Sequence, residues 1–192
     1  MESGTRVVVI DNWGPPELVR AADATWPALD WEHWHKYQDA HALKYGTTPA
    51  PRLPPASRQL IERLSVIDLH SRGFDVDAFP DLSLHGAGLH CIPEGGFLSR
   101  HLDGERHPLK GWRREINAVL FVNPWRQEWG GRLYFDDQAI EPAFNRLVLF
   151  QTTGNAYHGV EAVAGPIDRR TISLFWWSLN EPGTDRETAQ FT

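Results

Sequence analysis

Apolar positions along this chain fall into two textures. Up to about residue 80 they recur with helical spacing, between connectors rich in proline and aromatic residues; from Asp81 onward they come in short β-like runs separated by Gly, Pro and Asp. Val7–Ile10 is a β-branched run that reads as a strand at an edge of the fold. After the Pro15-Pro16-Glu17 entrance, Leu18, Val19, Ala22 and Trp26 have the spacing of one short amphipathic helix. A second stripe, Leu60, Ile61, Leu64, Val66 and Ile67, predicts a helix from Ser57, its candidate cap, to about Leu69. Between the helices, Asp30–Tyr45 is rich in Trp, His and Tyr without a clear period. It reads as a partly packed connector, with an aromatic pocket wall as the alternative. Gly46–Ser57 is a proline-rich loop, stiff enough to serve as a flap over a pocket.

The later texture gives candidate strands at Gly88–Ile92, Phe97–Leu102, Glu115–Asn123, Arg132–Asp136, Arg146–Gln151, Ala156–Val160 and Thr171–Leu179. Short strands at this spacing predict a sandwich or jelly roll. No repeat or linker divides the chain. It reads as one domain over residues 1–192, with helical support over about 1–80 and a β core over about 81–180. The fold class is mainly β with supporting α-helices.

Composition narrows the function. The formal net charge of -6 argues against a general nucleic-acid binder, which would show a basic face. No window of the sequence is apolar for long enough to predict a membrane span, and the N-terminal run is too short for a secretory signal. Cys91 is the only cysteine, so no intramolecular disulfide is available and a reducing compartment, the cytoplasm, is expected. Nine tryptophans suggest a core or pocket lined by large rings.

The candidate chemistry centres on His101-Leu-Asp103. On a strand these two polar side chains point the same way, because side chains alternate with period two. A second histidine from a distant strand would complete two imidazoles and one carboxylate on one face of a metal, the facial triad of non-haem Fe(II) oxygenases. A lone H-x-D triplet is weak evidence. Here the glycine turn Pro93-Glu-Gly-Gly96 delivers the triplet as a strand would, and His158 opens another strand after the turn at Gly154–Tyr157. His107, six residues past His101, sits in a loop and nothing in its spacing favours it over His158. Downstream runs Arg169-Arg170-Thr-Ile-Ser-Leu-Phe-Trp-Trp. Alternation places Arg169, Thr171, Ser173 and Phe175 on one face. An arginine with hydroxyls suits a buried carboxylate, so Arg169 is the expected anion ligand and Arg170 a surface or structural partner.

The ordered set Gly95-Gly-Phe-Leu, His101-x-Asp103, Asn117, Phe121-Val-Asn123-x-Trp125, Gly130-Gly-x-Leu133, Pro142-x-Phe144-Asn-Arg, Phe150, His158-Gly159 and Arg169 resembles the prolyl-4-hydroxylase-like branch of the 2-oxoglutarate/Fe(II) dioxygenases. The resemblance is densest from Asp81 to Leu179. It implies a double-stranded β-helix, a distorted jelly roll. Fe(II) would be held by His101, Asp103 and His158, and 2-oxoglutarate by Arg169 with Ser173, O₂ being the second cosubstrate. The implied reaction hydroxylates a C–H bond while 2-oxoglutarate becomes succinate and CO₂. Halogenating relatives replace the carboxylate with a small residue; Asp103 speaks against that chemistry. In many relatives two tyrosines touch 2-oxoglutarate, and here Cys91 and Phe121 stand at the corresponding positions. His90 and Asn117 are the polar residues proposed to take over that bonding.

Substrate contacts are the least legible part. Candidates are Arg114, Arg100 and Trp112, then Arg106, His107 and the Trp31–Tyr45 segment. Arg114, at the start of the strand passing the iron, would favour an anionic substrate. The expected prime substrate is a small metabolite, with a prolyl or other protein residue as the alternative. A metal-binding jelly-roll sensor without turnover is the rival from another class.

Overall fold

The computed structural model describes residues 5–48 and 52–192. The strands are β1 (Val7–Ile10), β2 (Trp34–Gln38), β3 (Leu43–Thr47), β4 (Phe79–Pro80), β5 (Gly88–Ile92), β6 (Leu98–Leu102), β7 (Arg113–Phe121), β8 (Leu133–Phe135), β9 (Ala139–Ile140), β10 (Leu147–Gln151), β11 (His158–Val160), β12 (Arg169–Ser178) and β13 (Gln190–Phe191). Two α-helices, α1 (Pro16–Ala24) and α2 (Pro55–Ser65), precede the β core. All strand pairs are antiparallel. The larger sheet runs β1-β10-β7-β12-β5-β3-β2, with β4 beside β12; the smaller runs β13-β6-β11-β8-β9. The two sheets make the double-stranded β-helix that the resemblance implies.

Period-two alternation builds two cores from one sheet. On β7, β10 and β12 one set of residues, Ala118, Leu120, Leu147, Leu149, Ile172 and Leu174, packs under Val19 and Ala22 of α1 and Leu60, Ile61 and Leu64 of α2. The opposite set, including Phe121, Val148 and Phe150, meets Leu133, Phe135 and Val160 from the smaller sheet. The helices therefore cover the outer face of the larger sheet, and the space between the sheets is left for the site.

The predicted strands recur with ends shifted by a residue or two, and β1 does sit at a sheet edge. Three expectations are corrected. Helix α2 starts at Pro55 with Pro54 as its cap residue, because proline at the first helical position gives up an N–H that has no partner there anyway. Ser57 is an interior, fully buried residue, and Val66 lies past the helix end, 80% exposed. Trp26 likewise follows α1 and packs on Trp34, with ring centroids 6.3 Å apart. Most of the segment Asp30–Tyr45 is the β2–β3 hairpin rather than a connector; it extends the larger sheet through Tyr45↔Cys91 and Gly46↔His90, and its Tyr37, Asp39, Ala42 and Lys44 line a cavity, as the pocket-wall alternative expects. Part of the proline-rich loop, residues 49–51, lies outside the described residues.

Candidate active site

The three expected metal ligands come together. His101 on β6 stands directly opposite His158 on β11 in the antiparallel register, and their rings are 4.4 Å apart between centroids. Asp103 follows one residue after β6 ends and keeps the alternation of the strand. Its Oδ1 lies 3.5 Å from Nε2 of His101, and its Oδ2 lies 3.5 Å from Nε2 of His158. One ligand atom from each residue falls within 4.8 Å of the others.

The hydrogen bonds around this triad fit a metal. Nδ1 of His101 lies 2.9 Å from the Ser99 carbonyl, and Nδ1 of His158 lies 2.9 Å from the Ala156 carbonyl. A carbonyl only accepts, so each Nδ1 carries the proton and each Nε2 presents a lone pair toward Asp103. Burial lowers the His158 pKa to about 4 against the opposing pull of Asp103, which keeps the ring neutral and able to ligate. Burial alone would raise the Asp103 carboxyl, but Arg114 first, then His158 and His101, hold it well below the usual carboxylate range. Asn117 Nδ2 donates to Asp103 Oδ2 at 2.6 Å, and Arg114 Nη1 sits 3.4 Å from the same oxygen.

The triad opens on a cavity of about 390 Å³ that also contains Arg169, Thr171, Ser173 and Phe175, the alternating set expected of β12. Arg169 is 3% exposed. Its Nε donates to the Gly131 carbonyl at 2.8 Å and its guanidinium lies over the Phe121 ring, 4.7 Å from the centroid. Among the described residues no carboxylate pairs with it; Nη2 is buried without a partner there, and burial lowers its pKa to about 9. A guanidinium fixed in this way with an orphaned nitrogen fits the distal carboxylate of 2-oxoglutarate. Arg170 points the other way and pairs with Asp23 at 2.8 Å.

Other site candidates divide. His90 lines the cavity, its Nε2 buried and unpartnered. Burial first, then Lys44 and Arg169, lowers its pKa to about 3, so the ring is neutral. Asn117 spends its amide N–H on Asp103, while Oδ1 remains unpartnered. Cys91 faces away from the cavity; its neighbours His90 and Ile92 line it instead, and burial pushes the thiol up to about 12. Arg114 lines the cavity because of a β-bulge. β12 residues Trp176 and Trp177 pair with Ile116 and Arg114, so β7 carries one extra residue, Glu115. The bulge turns Arg114 onto the inner face, where it stacks over Phe175 at 4.2 Å.

Arg100 and Trp112 are corrected. Arg100 alternates with His101 and leaves the site, holding Asp136 through two 2.8 Å bonds and lying 3.6 Å over Tyr157. Trp112 packs edge-on to Phe79 at 4.8 Å, beside His107, outside the cavity. No tryptophan lines the cavity; its rings are Tyr37, Phe150, Phe175 and Phe191 with histidines. Arg106 pairs with Asp185, and buried His107 sits 3.5 Å from Asp81, apart from the triad. Of the lining residues, Lys44 lies inside the Trp31–Tyr45 candidate segment without having been singled out there, and Phe191 had no place in the sequence reading. Each lies in a strand, β3 or β13, too short or irregular in polarity to show a period.

Comparison with known proteins agrees with this geometry. Residues 87–178 match the family described as the 2OG-Fe(II) oxygenase superfamily. No curated relative matches in sequence. Among solved structures, a Pseudomonas putida prolyl-4-hydroxylase shares 24% identity over 93% of this chain and 94% of that one, with a TM-score of 0.65. A Trichoplax adhaerens prolyl hydroxylase, in complex with a peptide fragment of the hypoxia inducible factor oxygen degradation domain, shares 19% identity over 89% and 83%, TM-score 0.64. A viral collagen prolyl hydroxylase from Paramecium Bursaria Chlorella virus-1, in its 2OG complex, shares 10% over 90% and 96%, TM-score 0.63. These likenesses carry the fold; the family match and the intact His-Asp-His triad carry the chemistry. The chain carries a 2-oxoglutarate/Fe(II) oxygenase domain over residues 87–178, the stretch that holds the His-Asp-His triad and Arg169.

Proposed function

We propose that this enzyme hydroxylates a C–H bond of a small metabolite. The observation that carries the reading is the closure of the cavity mouth from two sides. The β2–β3 hairpin contributes Tyr37, Asp39, Ala42 and Lys44; the C-terminal segment contributes Glu187, Thr188, Ala189 and Phe191. That segment is tied to the metal-binding strand: β13 pairs with β6, Phe191 stacks on His41 at 4.7 Å, and Arg186 Nε donates to the Asp103 carbonyl at 2.7 Å. A cavity of this size, narrowed on two sides, suits a compact molecule better than an extended peptide. We also infer that it works in a reducing compartment, the cytoplasm, since its single cysteine is buried and unpaired.

In this reading His101, Asp103 and His158 hold Fe(II), and Arg169, Ser173 and the neutral His90 orient 2-oxoglutarate. The bound iron, with 2-oxoglutarate and O₂, supplies the C–H oxidation, and 2-oxoglutarate leaves as succinate and CO₂. The protein's share is placement and protection. Asn117 and Arg114 fix the carboxylate that must stay ionised, each histidine Nδ1–H donates to a backbone carbonyl, and Val119, Leu133 and Phe150 line the apolar part of the cavity.

A second reading, hydroxylation of a prolyl residue in a protein, is favoured by the neighbours, which include prolyl hydroxylases of collagen and of a peptide substrate. The test is succinate formation by Fe(II)-loaded protein with small carboxylic and amino acids, compared with N-acetylated prolyl peptides. Succinate rising in step with a hydroxylated small molecule supports the proposal; turnover of prolyl peptides alone transfers support to the second reading. Asp103→Ala should abolish either activity.

A further inference from the structure

The cavity contains a cation that the reading above leaves unused. Lys44 lies on β3 two residues from Gly46, on the strand face turned toward His90, and its Nζ sits 5.0 Å from the Tyr37 ring centroid. Among the described residues no carboxylate pairs with it. The other lining cations are engaged. Arg114 sits against Asp103 and the Phe175 ring, and Arg169 is anchored on Gly131. The acids at the mouth are turned to other uses: Asp39 accepts the N–H groups of His41 and Ala42 in the hairpin turn, and Glu187 is exposed on the C-terminal segment.

Lys44 is thus an ammonium in a basic pocket without a counter-ion. Burial lowers its pKa to about 8; Asp103 opposes this, while Arg114 and Arg169 push the same way as burial. Keeping such a group unpaired is costly, and an incoming anion removes the cost. One free ammonium, with no second uncommitted cation and no helix N-terminus beside it, matches a carboxylate better than a phosphate, which calls for more donors.

We propose that Lys44 binds a carboxylate of the prime substrate, so that the substrate is a small carboxylic acid held between Lys44 and the metal triad. This rests on the small-molecule reading above. Lys44 then fixes which carbon faces the iron, as a specificity residue rather than a catalytic one.

The test uses protein loaded with Mn(II) and 2-oxoglutarate. Its thermal midpoint is followed with the common L-amino acids and short-chain monocarboxylic acids, each beside its own amide, in wild type, Lys44→Met and Lys44→Arg. At least one acid should stabilise the wild type where its amide does not. Its affinity should fall about tenfold or more in Lys44→Met, the loss of one charge-assisted hydrogen bond, and recover in part in Lys44→Arg. The proposal is overturned if no acid outperforms its amide, if Lys44→Met binds the acid as well as wild type, or if Lys44→Met loses 2-oxoglutarate instead. Prolyl-peptide turnover that survives unchanged in Lys44→Met overturns the small-molecule reading itself.

Discussion

Two side chains decide how well this site can work without touching the metal, Asn117 and Arg169. Asn117 binds the one carboxylate of the triad at 2.6 Å from a buried strand position. Partners of this kind fix ligand orientation, and their removal typically costs about 10–100-fold in metal affinity. Asn117→Ala should weaken Fe(II) binding by about that factor in an anaerobic titration, while Asn117→Asp sets a second charge beside Asp103 and should not rescue it. Arg169 supplies a different arm. Arg169→Ala should raise the 2-oxoglutarate concentration needed for half-saturation by about tenfold or more, as expected for losing a charge-assisted pair. Arg170→Ala removes the contact with Asp23 and should leave that concentration unchanged. Equal effects of the two arginine variants would refute the assignment.

Elements explain which parts of the site could be read beforehand. His101, Asp103, Arg169 and Ser173 obey strict alternation on β6 and β12, so period-two reasoning places them correctly relative to their neighbours. Arg114 breaks the rule because Glu115 is a bulge residue, and bulges are set by the partner strand, which a linear reading does not see. Arg100 and Trp112 were singled out for chemical type alone; pairing with Asp136 and packing on Phe79 draw them elsewhere. The sequence marks Trp31–Tyr45 as a possible pocket wall, but not its pairing as the β2–β3 hairpin or Lys44 within it, because its residues mix Trp, His, Lys and Tyr without polarity contrast. The short β11 shows how tightly an element can be specified. A Cβ on Gly159 would clash with the Tyr134 hydroxyl and lie 2.6 Å from the Leu98 carbonyl, between the two neighbouring strands. Gly159→Ala should therefore push β11 from β6, lowering stability by about 1–3 kcal/mol in urea unfolding and weakening metal binding through His158. Unchanged metal affinity in a folded Gly159→Ala protein would show that β11 has room to adjust.

At the scale of the whole molecule, the buried basic groups that make the cavity receptive to anions also make the fold sensitive to acid. His90 and His158 have pKa values lowered to about 3 and about 4 from an ordinary 6.5, both chiefly by burial. Above pH 6.5 each ring is neutral in the folded and the unfolded chain and contributes no slope. Below it the unfolded chain takes up protons that the folded chain refuses, so unfolding becomes easier as the pH falls toward 4. Each histidine costs up to about 1.4 kcal/mol per pH unit in that window. Metal-free protein should accordingly lose urea resistance steeply between pH 6.5 and about 4, and His90→Asn, which cannot take up the proton, should show a shallower slope. Loading with Mn(II) adds stability near neutrality through mass action, and protons compete with the metal for His158, so the loaded protein should fall more steeply still. A metal-free His90→Asn protein with the full wild-type slope would mean that His90 is not held neutral by the fold. The positive surroundings ascribed to the cavity would then be weaker than Lys44, Arg114 and Arg169 imply.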